Sequence, residues 1–336
     1  MKSSKFLFTV LSLLVLLSLL VACAPAPTPA PAAPAAPAAP AAPAAAAKMY
    51  IPVISKGFQH QFWQAVKAGS LKAAAQYNVD ITFEGPETEA MVDKQMEMLQ
   101  TAIDKKPAAI CFAAVDSKAA IPLLQKAKDA KIPVIGFDSG VDSDIPLSTA
   151  ATDNVAAAAL AADKMAELIG KKGTVAVIAH DQTSRTGIDR VKGFLDEMKK
   201  YPDIKVLDPQ YGAGDQLKST DIAKAVIAAN PDLKGYFGAN EGSIIGVINA
   251  VTELKIANGK IVVIGYDSGQ KQLDAIRSGL EAGAITQDPI GIGFKCVEAA
   301  VKATKGETLP KFIDTGFHWF DKTNIDDPAI AAVLYK

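Results

Sequence analysis

The sequence predicts a doubly wound α/β fold made of two similar parallel-sheet lobes, and three observations support this prediction. From Lys48 onward, short apolar runs rich in β-branched residues alternate with helical patterns. Runs such as residues 108–112 and 174–178 are almost continuously apolar, which indicates strands covered on both faces. The alternation comes in two blocks, separated where residues 147–154 add a short strand and a helix cap.

The individual elements follow from local patterns taken in chain order. β-Rich apolar runs predict strands over residues 49–55, 80–85, 108–114, 134–139, 174–180, 205–211, 235–241, 261–268 and 284–288. Between them, helical patterns predict helices over residues 62–76, 91–104, 119–129, 155–170, 189–199, 220–229, 244–253 and 271–279. Strands that alternate with helices in this way form parallel sheets.

Length and charge limit the classes of function. At ~150 residues per domain, 336 residues predict about two domains and a cleft between them. Lys and Arg total 35 against 36 for Asp and Glu, which provides no basic field for a phosphate backbone. We therefore expect no nucleic-acid partner.

Cysteines and histidines are few and scattered. They are Cys23, Cys111, Cys296, His60, His180 and His318, and none has the close spacing of a zinc site. We therefore expect neither a metal nor a cofactor. Cys111 lies in an apolar strand and Cys296 in a helical segment, so we expect buried free thiols rather than a disulfide.

The first 47 residues are typical of an export signal and a tether. Lys2 and Lys5 precede an apolar run over residues 6–20, shorter than the ~20 residues of a spanning helix. The run ends in Leu-Val-Ala-Cys, which resembles a bacterial lipobox and implies a signal over residues 1–22 and lipidation of Cys23. Alternatively, the signal is cleaved without lipidation. Residues 24–47 contain 15 Ala, 8 Pro and one Thr, so residues 23–47 are predicted to form an anchored, extended spacer.

Polar and aromatic residues recur where predicted strands end. Ligands of open parallel sheets bind beyond the carboxyl ends of the strands, so these positions are the candidate site. Carboxylates and amides bond hydroxyl groups while aromatic rings cover C–H faces, a combination that suits a neutral ligand with many hydroxyls. The candidates by position are His60, Phe62, Trp63, Asp138, Ser139, Asn240, Asp267 and Gln287.

From Lys48 to about Lys322 the chain resembles the type I periplasmic sugar-binding proteins, in the ribose-binding branch, which share their fold with Lac-repressor effector domains. The matching stretches are residues 62–69, 132–138, 151–154, 190–194, 237–241 and 263–267. The resemblance implies two lobes that close on a sugar, joined by a three-strand hinge near Ala151, Gln287 and Thr315. It implies a first lobe of residues 48–151 plus 288–315 and a second of residues 152–287 plus 316–336.

The same resemblance implies roles for particular residues. It places an aromatic sandwich on Phe62 and Trp63 and hydroxyl-binding carboxylates on Asp138 and Asp267. It places amide ligands on Asn240 and Gln287, and a polar residue at the end of the first strand on Ser55.

Some positions depart from the ribose-binding pattern. His60 or Gln59 stands where those proteins have Asn, Ser139 follows Asp138 where they have Arg, and Ala113 replaces another Asn. Ile188 aligns with the arginine of the second lobe, and Arg185 is the candidate substitute. Because an arginine fork supplies several donors, its loss argues against ribose itself as the ligand.

Several of these residues also have structural interpretations. Phe62 and Trp63 could be core residues at a helix start, and Asp138, Asp267 and Asn240 could cap helices. His60 could be a ligand donor or an exposed loop residue. His180 and His318 are expected to be structural or exposed, and Arg190 is expected to brace its own lobe.

The motifs of common enzyme classes are absent from the sequence: it has no GxxxxGK[ST], GxGxxG after a strand, GxSxG or HExxH. A transcription regulator with this fold would need a helix-turn-helix where the export signal lies. We therefore expect no enzyme. The expected function is a monomeric solute-binding lipoprotein of an ABC importer, held at the outer face of the membrane, which delivers a monosaccharide or polyol to a permease. The alternative is a sensor that presents the ligand to a chemoreceptor or sensor kinase.

Overall fold

Strands and helices alternate through residues 48–335, the part of the chain that this computed structural model describes. The predicted signal, Cys23 and the spacer lie outside the described residues. In chain order the strands are β1 (Tyr50–Ile54), β2 (Asp80–Glu84), β3 (Ile110–Phe112), β4 (Val134–Phe137), β5 (Ser148–Ala151), β6 (Gly173–Ala179), β7 (Ile204–Val206), β8 (Gln210–Tyr211), β9 (Leu233–Gly238), β10 (Val262–Tyr266), β11 (Gly283–Gln287), β12 (Phe312–Asp314) and β13 (Phe317–Phe320).

Helices connect most of these strands. They are α1 (Gln61–Tyr77), α2 (Val92–Asp104), α3 (Ile121–Asp129), α4 (Asn154–Leu168), α5 (Arg185–Met198), α6 (Gln216–Ala229), α7 (Glu241–Glu253), α8 (Gln270–Ser278), α9 (Pro289–Thr304) and α10 (Pro328–Ala331). Within residues 48–335, none of them is long and apolar enough to cross a membrane.

The strands form two sheets with the same internal order. The first runs β12-β5-β4-β3-β1-β2 and the second β13-β11-β10-β9-β6-β7, with β8 added beside β6. Neighbouring strands are parallel except for β11 and β13. Apolar clusters cover both faces of each sheet, as continuous apolar strands require. The predicted fold class of two doubly wound lobes is confirmed.

The chain passes between the sheets three times. It leaves the first sheet after β5, returns through α9 after β11, and crosses again between β12 and β13. The sequence placed Cys296 in a helical segment without giving its bounds, and the start of α9 carries clear helix signals. Asp288 accepts a hydrogen bond from the Gly291 amide at 2.7 Å. Pro289 occupies the first helical turn, where an N–H would have no acceptor within the helix, so its absence costs no hydrogen bond.

Two further differences from the predicted elements have local causes. The predicted strand over residues 205–211 is two short strands, β7 and β8. Pro209 between them has no N–H to donate to a neighbouring strand. Helix α5 begins at Arg185 rather than at Asp189, because Ser184 caps it by accepting from the Gly187 amide at 3.1 Å.

Cys111 of β3 and Cys296 of α9 form a disulfide, with their Cα atoms 6.2 Å apart. The prediction of two free thiols is therefore wrong. The two residues are 185 positions apart in sequence, and only the return of α9 across the first sheet brings them together. Both are fully buried in the same apolar cluster.

Candidate ligand-binding site

A cavity of about 260 Å³ lies between the lobes at the carboxyl ends of both sheets. Each lobe contributes six side chains to its wall. The first lobe supplies Lys56, His60, Phe62, Trp63, Glu89 and Asp138, and the second supplies His180, Thr186, Arg190, Asn240, Asp267 and Gln287.

Asp138 and Asp267 occupy equivalent places, directly after β4 and β10. Both adopt a left-handed backbone, with φ of 53° and 82°. This conformation costs free energy in residues other than glycine, and it concentrates at functional sites. Their amides are fixed to the neighbouring strands, that of Asp138 to the Ala150 carbonyl at 2.9 Å and that of Asp267 to the Ile285 carbonyl at 2.6 Å. The two carboxylates are thus held in place at the cavity.

The Asp138 carboxylate is buried and has no hydrogen-bond partner among the described residues. Burial raises its pKa to about 6, although the charges of Lys56 and Arg190 act in the opposite direction. The structure gives no support for Asp138 as a helix cap. Its oxygens remain available as acceptors for a ligand.

The Asp267 carboxylate is held by its own lobe. One oxygen accepts from the Gln287 side-chain amide at 2.7 Å, and the other accepts from the backbone N–H of Glu241 at 2.9 Å. Asp267 therefore supports the start of α7 as well as facing the cavity. The Gln287 side-chain oxygen is buried without a partner, so it can accept a hydrogen bond from a ligand.

Arg190 lies 3.9 Å from Asp267 and stacks over the ring of Tyr266, with its guanidinium carbon 3.7 Å from the ring centre. It donates to the Asn154 side chain at 2.8 Å and to the Ala239 carbonyl at 2.9 Å. Arg190 braces its own lobe, as the sequence suggested, but it also lines the cavity, which the sequence analysis missed.

Lys56 and Glu89 form a buried ion pair at the first-lobe wall, with nitrogen and oxygen 3.7 Å apart. Glu89 also accepts from the Trp63 indole N–H at 2.8 Å. Burial alone would raise the pKa of Glu89, but Lys56, His60 and His180 outweigh burial and lower it to about 2. Glu89 is therefore ionised throughout the physiological pH range.

The two cavity histidines differ from each other. Both ring nitrogens of His60 are buried without hydrogen-bond partners among the described residues, which favours a role in ligand binding over exposure in a loop. His180 contacts the Thr186 hydroxyl at 3.0 Å. Burial and the Lys56 charge lower the pKa of His180 to about 3, so it is neutral at physiological pH.

Three predicted site residues line the cavity and also make the structural contacts considered for them. Trp63 and Phe62 belong to the apolar core of the first lobe, with their rings 5.0 Å apart, and both line the cavity. Asn240 caps α7 by accepting from the Ser243 amide at 3.0 Å, and it also lines the cavity.

Three predicted site residues do not line the cavity. The Ser55 hydroxyl donates to the carbonyls of Gly57 and Glu84, and Ser139 is fully buried. Arg185, on the first turn of α5, is half-exposed and pairs with Asp142 and Asp189 rather than lining the cavity. Ser55, Ser139 and Arg185 are therefore not among the residues that line this cavity.

Five wall residues were not among the predicted ligands: Lys56, Glu89, His180, Thr186 and Arg190. Lys56 and His180 lie just after β1 and β6, so the strand-end rule applied to every strand would have found them. Glu89 lies five residues past β2, and Thr186 lies in a helix turn, so neither carries a comparable signal.

The lobes are closed over this cavity. The Lys56 amine donates to the Thr186 hydroxyl at 3.0 Å across the cleft, and the Ser117 amide donates to the Thr183 carbonyl at 2.9 Å. Arg185 reaches Asp142 of the opposite lobe at 3.3 Å. A ligand in the cavity would be surrounded by both lobes.

The chain resembles proteins whose binding function is known. It is 36% identical to a solute-binding protein of an ABC transporter from Agrobacterium vitis, solved with bound α-D-tagatopyranose, with a TM-score of 0.82 over 86% of this chain and 100% of that chain. A second protein from the same organism, solved with D-fucose, is 35% identical with a TM-score of 0.83 over 85% and 100% of the two chains. The D-allose-binding periplasmic protein of Escherichia coli is 26% identical over 77% of this chain and 86% of its own.

The family assignment has a separate basis that covers most of the described chain. The family model of the periplasmic binding protein domain matches residues 51–308, which include most of both sheets and all twelve wall residues. The chain therefore belongs to the periplasmic binding protein domain family.

Proposed function

We propose that the protein captures one neutral monosaccharide in the cavity between its lobes, as the solute-binding protein of an ABC importer. The observation that carries the proposal is the enclosed cavity, to which each lobe gives six side chains rich in carboxylates, amides and aromatic rings. The buried Asp138 carboxylate and the unpartnered Gln287 oxygen match the hydroxyl donors of a sugar. The Trp63 and Phe62 rings offer apolar surface for its C–H groups.

The charges of the cavity support a neutral ligand rather than a sugar acid. Lys56 lies 3.7 Å from Glu89, and Arg190 lies 3.9 Å from Asp267, so each cation already has a carboxylate beside it. Asp138 has no such partner among the described residues. An anionic ligand would meet this carboxylate without a free cation to offset the repulsion.

The relatives support the size class of the ligand, because they bind D-allose, α-D-tagatopyranose and D-fucose, all monosaccharides. Binding proceeds by a shift between open and closed forms: the sugar binds one lobe, and contacts from the other lobe stabilise closure. The closed form then delivers the sugar to a membrane permease. The protein transports its ligand without altering it chemically.

The predicted N-terminal segment completes the proposal. The protein is exported, and a lipid on Cys23 holds it at the outer face of the membrane through the spacer over residues 24–47. Two acyl chains anchor a protein firmly, whereas one binds only marginally. The folded part works as a monomer, since each copy contains both walls of its cavity.

A thermal-shift screen of the full-length protein against neutral pentoses, hexoses and polyols tests the proposal. A ligand at 100 times its dissociation constant adds ~2.7 kcal/mol of stability, so a binding sugar should raise the melting temperature by several degrees. The matched control is a hexuronic acid, which has hexose size and a negative charge. Stabilisation by the hexuronic acid and by no neutral sugar would contradict the proposal.

A further inference from the structure

Glu241 makes a charged contact between the lobes, and it is not among the residues that line the cavity. It is the first residue of α7 in the second lobe and is only 3% exposed. Its two carboxylate oxygens accept from the backbone N–H groups of Gln61 at 3.0 Å and Phe62 at 3.1 Å. These are the first two residues of α1 in the opposite lobe.

Helix α1 has no cap from its own lobe. His60 at the capping position makes no side-chain capping bond, and the first turn contains no acidic residue. The first N–H groups of a helix need acceptors, and a carboxylate there also meets the positive end of the helix dipole. The cap of the helix that carries Phe62 and Trp63 is therefore supplied across the cleft, and only when the lobes are closed.

Tyr335, near the C-terminus, supports the same contact. Its hydroxyl donates to Glu241 at 3.4 Å and accepts from the Ser268 amide at 3.2 Å. Its ring packs against Phe62 of the first lobe, with ring centres 6.1 Å apart. Tyr335 thus joins both lobes beside Glu241.

We propose that Glu241, held by Tyr335, is a closure residue, which sets sugar affinity by stabilising the closed lobes without touching the sugar. This inference rests on the proposed function. A ligand that is held only in the closed form loses apparent affinity in proportion to the closed fraction. A residue that acts on closure alone should therefore change the affinity for every accepted sugar by the same factor.

The test uses Glu241→Gln in the full-length protein. This change keeps one acceptor but removes the charge, so we expect roughly tenfold weaker binding, through faster dissociation. The factor should be equal for all accepted sugars. Tyr335→Phe, which keeps the ring, should give a smaller uniform loss. The control is Glu253→Gln at the other end of α7, where Glu253 pairs with Lys224 at the surface, and it should bind as the parent does.

Two results would overturn the inference. Parental affinity in both Glu241→Gln and Tyr335→Phe would remove the closure role, and a loss that differs between sugars would mean that Glu241 contacts the ligand. If Glu241→Gln does not fold, the uniform loss in Tyr335→Phe decides.

A measurement without sugar separates this inference from the proposed function. The Gln61 and Phe62 amide hydrogens should exchange faster in Glu241→Gln than in the parent, because they lose a charged acceptor. Equal exchange would overturn the closure inference, whatever the sugar screen shows. Failure of the parent to bind any sugar would instead contradict the proposed function alone.

Discussion

The protonation state of Asp138 should affect both the stability of the ligand-free protein and its affinity for sugar. Its pKa is raised to about 6, chiefly by burial, so the folded protein holds this proton more tightly than the unfolded chain does. The associated stability is fully present below pH ~4 and is lost as pH rises through about 6. Sugar hydroxyls that donate hydrogen bonds to Asp138 would instead favour its ionised form. Sugar affinity should therefore fall as pH drops below about 6.

The first prediction is that Asp138→Asn stabilises the ligand-free protein at neutral pH. A pKa raised from an ordinary 3.8 to about 6 corresponds to at most roughly 3 kcal/mol, and the gain should vanish near pH 4. Urea unfolding at the two pH values measures it. Asp221→Asn on the exposed surface of α6 is the control, and its stability should match that of the parent. A variant less stable than the parent at neutral pH would refute this account of Asp138.

Glu89 should behave in the opposite way. Its pKa is lowered to about 2, since Lys56, His60 and His180 outweigh burial, so its stabilisation is present above pH ~4.5 and is lost as pH falls toward 2. Glu89→Gln keeps an acceptor for the Trp63 N–H but leaves Lys56 buried without its anion. We expect a loss of about 3 kcal/mol in unfolding free energy at pH 7. Denaturant titration measures the loss, and unchanged stability would contradict it.

At the residue scale, the sequence predicted seven of the twelve wall residues and missed five. Asp138, Asn240, Asp267 and Gln287 were found because parallel strands direct their carboxyl ends to one edge. Glu89 was missed because its position depends on how the loop after β2 folds back to Trp63. No local pattern encodes that contact.

At the element scale, the disulfide joins β3 to α9 in the first lobe. Its pairing was not predictable from the sequence, because Cys111 and Cys296 meet only through the long-range return of α9. The same limit applies to β12 and β13, whose short, partly exposed segments carry weak strand patterns. The repeated strands and helices of each lobe were predictable because their apolar periods are local.

Removing this disulfide should reduce stability and leave sugar affinity nearly unchanged. The double variant Cys111→Ala/Cys296→Ala should lose about 2–4 kcal/mol of unfolding free energy, because the bond constrains the unfolded chain. Its affinity should stay within threefold of the parent, because neither cysteine lines the cavity. Denaturation and sugar titration of both proteins measure the two effects. A tenfold loss of affinity would show that the bond shapes the cleft.

At the scale of the whole molecule, attachment and binding should be separable. Cys23→Ser removes the thiol that a lipid would modify, so the variant should leave the membrane fraction while sugar affinity stays at the parental value. Fractionation of cells that express each form measures attachment. A variant that stays as firmly membrane-bound as the parent would contradict the anchor.

The two lobes form one binding site only when they close, so the whole molecule, rather than either lobe, determines affinity. Lys56 with Thr186 and Glu241 with α1 connect the lobes beside the cavity. The sequence resemblance implied a closing cleft, but it could not specify these contacts, because each depends on the relative placement of two separately folded sheets. Their positions show that closure brings both walls of the cavity together.

Calorimetric titration of the best sugar from the screen into the parent and into Asp138→Asn tests the central claim most directly. We predict one site with a micromolar dissociation constant, equivalent to about −8 kcal/mol, and at least tenfold weaker binding in the variant. The carboxylate accepts charge-assisted hydrogen bonds that the amide makes less well. Near-parental affinity in Asp138→Asn, or binding of more than one sugar per chain, would contradict a single sugar site between the lobes.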